Sequence, residues 1–240
     1  MASQVQCDAA LRLLYYFPKE SAQVIAERLA KLDVRHTRNA KELIRLMVAN
    51  GVRQDDLIRA TSWSREPALR AAVTGIFKRA GNSSVLLAAL PAVDDVSLIH
   101  RRLDPLIDAL PSDDWPYYEG FRLLSALGKH SPATAQPVFR RYLRDAGIPR
   151  RLTMCAVLRE LDVPWDVELL APLLEDKRIS PDQYEVDSRN HGLQLPIRVC
   201  DRAAESLAAN HPDLRFVLAG PHADLDKQIA AIRGQLAKRR

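Results

Sequence analysis

Histidines, cysteines and arginines are the residues of this chain most able to do chemistry, and their spacing limits what that chemistry can be. The six histidines are His36, His100, His130, His191, His211 and His222. They fall mostly at expected loops and helix ends, and none is followed by Glu. A tetrahedral metal site needs ligands that converge at short, regular spacing, and no such spacing occurs, so no metal is expected. Cys7, Cys155 and Cys200 are few, odd in number and far apart. Each lies in an apolar helical stretch, which suits small buried thiols and not a disulfide framework. The chain has no His-Glu-x-x-His, glycine-rich phosphate loop, Gly-x-Ser-x-Gly or Cys-x-x-Cys. The expectation is a non-enzyme without a cofactor.

The arginines remain. Arginine outnumbers lysine 27 to 8, and the formal net charge is +5. Guanidinium grips carboxylate and phosphate bidentately, so an acidic partner is the natural expectation. A surplus this small on 240 residues argues only weakly for nucleic acid, which stays the second reading. The densest basic stretch is Phe139–Arg159, with Arg140, Arg141, Arg144, Arg150, Arg151 and Arg159. Arg140, Arg141 and Arg144 fall opposite Phe139, Tyr142 and Leu143, which reads as a solvated helix face.

Composition says what must position these side chains. Apolar residues make up 47% of the chain and aromatics only 6%, a Leu/Ala/Val/Ile mix that favours packed helices over a sandwich. Apolar stripes at helical spacing are expected over Val5–Phe17, Pro18–Leu32, Ala40–Ala49 and Gln54–Ala60. A helix led by Glu66-Pro67 carries Leu69, Val73, Ile76 and Phe77 inward. Less regular helices follow at Ser83–Ala89 and Ser97–Leu110, interrupted near Pro91 and Pro105. Further helices open at Trp115-Pro116, Ser131-Pro132 and Ile148-Pro149, and a last one covers Asp224–Lys238. No strand is expected. No leader or membrane-spanning run is legible, so a cytoplasmic chain with no membrane partner is expected.

One stretch carries a resemblance. Leu170-Ala171-Pro172-Leu173-Leu174-Glu175-Asp176 ends one short helix in an acidic turn, and Ile197-Arg198 through Ala204-Glu205-Ser206-Leu207 opens another. This resembles a HEAT repeat. The match is specific over 169–208, degenerate over 115–163 and only a pattern before 110. Cys7-Asp8-x-Ala10-x-x-x-Leu14 also echoes Cys200-Asp201-x-Ala203-x-x-x-Leu207. The resemblance implies an all-α, right-handed α-α superhelix of about five or six helix pairs in one domain over 1–240. In such arrays an arginine and the turn aspartate, here Arg198 and Asp176, form a polar ladder between units. The family's turn is short, whereas about twenty residues separate Asp176 from Ile197, so a long loop is expected at 177–195. The first helix has no preceding partner, as an excerpt of a longer array or an unusual cap would show.

The expected role is a protein-interaction scaffold, because stacked pairs offer an extended rigid surface. Second helices would line its concave side. Their outward basic residues are Arg70, Lys78, Arg122, Lys129, Arg151 and Arg202, the expected binding face for an acidic segment. Two enzyme families share a related architecture. HEAT-like metal hydroxylases use repeated His-Glu pairs, which are missing here. HEAT-like DNA glycosylases use aromatics and an acid in a basic groove; Trp115 with Asp113 or Asp114 is the candidate, and a packing plug between repeats is the simpler role for Trp115.

Overall fold

The computed structural model describes residues 21–24, 26–27, 58–59, 61–111, 117–187 and 193–239. The expected helices at Val5–Phe17 and Ala40–Ala49, most of the two at Pro18–Leu32 and Gln54–Ala60, Cys7, Trp115, Asp113 and Asp114 lie outside the described residues. What is described is predominantly helical. Contacts divide the chain into two compact units, Met1–Leu106 and Ile107–Arg240.

In the first unit, α1 spans Pro67–Arg79 with the proline in its opening turn, where its missing N–H costs nothing. Its expected stripe of Leu69, Val73, Ile76 and Phe77 is fully buried. Next comes α2, Ser83–Ala89, capped by Asn82, whose side chain accepts from the Ser84 N–H at 2.7 Å. A 3-10 turn at Leu90–Ala92 packs with both helices. Then α3 runs Val96–Asp108. Pro105 sits inside α3 and does not interrupt it, contrary to the sequence expectation. Its ring removes one backbone bond while Leu103 and Ile107 stay buried on either side.

The second unit is built on three helices. These are α4 (Tyr117–His130), α6 (Ile148–Glu160) and α8 (Val199–Asn210). Helix α6 packs against both α4 and α8. Between them in sequence, α5 (Pro132–Leu143) leans on α4 and α6, and α7 (Asp166–Leu170) continues as a 3-10 turn, Ala171–Glu175, against α8. The last helix, α9 (His222–Lys238), packs on α8 and that turn. Burial follows the stripes: Leu123, Leu124 and Leu127 from α4, Val138 and Phe139 from α5, Met154, Cys155, Val157 and Leu158 from α6.

Gly128 permits the α4–α6 approach. A Cβ there would clash with Leu161 Cδ1 and lie 3.3 Å from the Phe139 ring.

The segment expected as a long loop is a two-stranded antiparallel ribbon. Strand β1 (Ile179–Asp187) pairs with β2 (Leu193–Arg198), with Asp187 opposite Leu193 and Ile179 opposite Arg198. The register is irregular between Ile179 and Tyr184, the stretch that holds Pro181. The absence of strands expected from the sequence therefore fails here. Strand β2 does alternate, with Leu193, Leu195 and Ile197 between Gln194, Pro196 and Arg198, and that period-2 pattern is a strand signal. Proline in each strand masks it, because proline usually demotes a run to edge or non-strand.

Candidate functional site

Of the expected basic face, Arg70 and Lys78 belong to the first unit. Arg70 reaches Asp94 at 2.6 Å and the Ala92 carbonyl at 3.3 Å; Lys78 is exposed. The other four lie in the second unit on the three neighbouring helices. Arg122 is half-buried on α4. Lys129, at the end of α4, meets Glu160 at the end of α6 at 3.6 Å. Arg151 of α6 reaches Asp176 at 3.3 Å. Arg202 of α8 holds Glu205, one turn on, at 2.8 Å.

Two carboxylates organise this face, and each is shared by two guanidiniums. Glu205 takes Arg202 from its own helix and Arg159 from α6 at 3.0 Å. Asp176 takes Arg151 and also Arg178, which forks onto both carboxylate oxygens at 2.9 and 2.7 Å. In each trio two guanidiniums meet one carboxylate. Arg159 and Arg178 are each 51% exposed, so one guanidinium of each trio faces water. Burial pushes the Asp176 carboxyl up, but hydrogen bonds and charge from Arg178, with Arg151 behind it, outweigh burial and hold it below the usual aspartate value. Arg151 stands in the first turn of α6 and Arg159 in its last, so the two trios meet opposite ends of that helix.

The expected ladder between Asp176 and Arg198 is arranged differently. Arg198 is 4% exposed and holds Asp201, 1% exposed, through Nε at 3.0 Å and Nη2 at 2.8 Å. Its remaining nitrogen reaches Asp226 of α9 at 2.8 Å. Burial works against the Arg198 charge, but the Asp201 carboxylate more than offsets it and raises the pKa above the usual arginine value. Asp201 also accepts the Arg198 backbone N–H at 3.0 Å, which caps α8. The Asp176 turn is tied to α8 through backbone instead: Cys200 N–H donates to the Asp176 carbonyl at 2.9 Å. An acid three residues along the same helix start is closer to Arg198 than the preceding turn, and it wins the guanidinium.

A second buried polar cluster was not anticipated. Asp166, 1% exposed at the start of α7, accepts from Asn210 Nδ2 at 3.0 Å and lies 3.0 Å from His211 Nε2. Asn210 also donates to the carbonyls of Leu158 and Leu161. The cluster fastens the end of α8 to the end of α6 and the start of α7. Its partners are more than forty residues apart, so only the fold brings them together.

Three other arginines of the run are spent on neighbours away from this face. Arg140 holds Glu168 at 2.8 Å, Arg141 holds Asp108 at 3.1 Å, and Arg150 donates to the Leu110 and Pro111 carbonyls beneath the Tyr142 ring. Trp165 meets Phe139 edge-on at 5.0 Å and donates to the Pro132 carbonyl, as a packing plug does. Cys155 and Cys200 are buried free thiols; burial raises both, Cys200 to about 11. Among the described residues, no three His, Cys, Asp or Glu side chains are grouped to hold a metal. No helix among them is long and apolar enough to cross a membrane. Compared with protein families, curated proteins and solved structures, the chain matches none.

Proposed function

We propose that the chain is a HEAT-like helical-repeat scaffold that binds an acidic protein segment, without catalysis, along the face formed by α4, α6 and α8. The observation that carries this reading is the sharing of Asp176 and Glu205 by two guanidiniums each. An incoming carboxylate can pair with the half-exposed Arg159 and Arg178 without displacing a buried group. Side-by-side packing of α4, α6 and α8, with α5 and α7 joining them, supports a stack of helix pairs. Cytoplasmic residence goes with this role and is equally a proposal.

The experiment is an array of acidic peptides, followed by titration of the best binder at several salt concentrations. Affinity should fall with salt, since exposed charges are screened over roughly 8 Å at physiological ionic strength. Arg122→Glu with Arg151→Glu should weaken binding at least tenfold. Arg140→Glu with Arg144→Glu should leave it nearly unchanged. The opposite pattern, with both variants folded by circular dichroism, refutes the assignment of the face. Tighter and more steeply salt-dependent binding to duplex DNA than to any peptide would move the reading to nucleic acid.

A further inference from the structure

Away from the basic face, a cleft of about 510 Å³ opens between the 167–175 segment and α9. That size falls within the roughly 300–1,000 Å³ typical of small-molecule sites. Its walls are mostly apolar: Val167, Ala171, Pro172 and Leu174 on one side, Leu236 and Ala237 on the other. Glu175, Arg233 and Arg239 also line it. Arg233 is paired with Glu175 at 2.6 Å, and Arg239 with Asp213. Both acids are about two-thirds exposed. A solvated ion pair of this kind contributes little, so another carboxylate can replace either acid at small cost. Apolar walls with exchangeable guanidiniums in the lining match a molecule with an apolar body and one acidic end.

We infer that this cleft binds a small amphiphilic carboxylate, its chain against the Leu174–Leu236 walls and its head group on Arg233 or Arg239. The head exchanges with Glu175 or Asp213, so no new charge is buried unpaired. The site shares no residue with the proposed acidic-segment face, and the two readings stand or fall separately.

Calorimetric titration of the full chain with octanoate and decanoate, below their micelle concentrations, tests the assignment. Affinity should rise roughly three- to fourfold per methylene, so decanoate should bind about tenfold tighter than octanoate. Decanol should bind more weakly than decanoate. Arg233→Ala with Arg239→Ala should reduce decanoate to the affinity of decanol. Ala237→Trp, which fills the cleft from an exposed helix position, should abolish decanoate binding while circular dichroism stays unchanged. Arg122→Glu with Arg151→Glu should leave it intact. Binding without chain-length dependence overturns the proposal. So does undiminished decanoate binding in either the double-alanine or the tryptophan variant, and so does no decanoate binding at low millimolar concentration.

Discussion

Two sets of ion pairs lie within one turn of each other on α8 and do different work. At the helix start, Arg198 and Asp201 are almost wholly buried, and their polar atoms are committed to each other and to Asp226. One turn along, Arg202 and Glu205 are partly exposed, and Glu205 is divided between two arginines. The buried pair is closed and fixes where α8 begins relative to α9. The second set is more open and reaches water through Arg159. Charge identity alone does not separate a closed pair from an open one; burial does.

The sharpest way to break this contrast is Asp201→Ala. It strips a buried guanidinium of its main partner and removes the α8 cap, and should cost about 3 kcal/mol in denaturant unfolding. A loss below about 1 kcal/mol would mean that Asp226 alone satisfies Arg198 and that the pair is not closed.

The packing beneath the open face comes next. Gly128→Ala drives a methyl into Leu161 and should cost about 1–3 kcal/mol. Read by the same unfolding curves, a neutral result would show that Leu161 gives way for no more than the roughly 1 kcal/mol that alanine gains over glycine in a helix.

Acid titration distinguishes Asp176. Its folded carboxyl lies below the ordinary 3.8, so its contribution is fully present above that value and fades as pH falls through the folded pKa. Wild-type stability should drop with acidification below about pH 4, and Asp176→Asn should flatten that part of the profile. Identical profiles would show that Arg178 and Arg151 do not hold the carboxylate.

Smallest is Glu205→Ala, expected to cost under about 1 kcal/mol because its pairs are solvated. Thermal melts check it. A loss as large as that of Asp201→Ala would erase the distinction between the two sets.

The helices of this chain were legible because their signals are local. Prolines 67, 132 and 149 sit in opening turns, and Leu69, Val73, Ile76 and Phe77 share a stripe that the fold buries. The ribbon was not, since Pro181 and Pro196 hid the alternation of Leu193, Leu195 and Ile197. Four of the basic candidates do fall on adjacent helices, α4, α6 and α8. Their counter-charges were invisible. Glu160, Asp176 and Glu205 become partners only when α6 lies between α4 and α8, and spacing within one helix cannot report its neighbours. Asp166 with His211 is another such case, a contact spanning 45 residues.

The most direct test of the account follows the arginine Nε–H resonances by NMR while a short glutamate-rich peptide is added. Arg151, Arg159, Arg178 and Arg202 should shift together and saturate, and Arg198, closed on Asp201 and Asp226, should stay still. Movement of Arg140, Arg141 and Arg144 with silence at Arg159 and Arg178 would contradict the account.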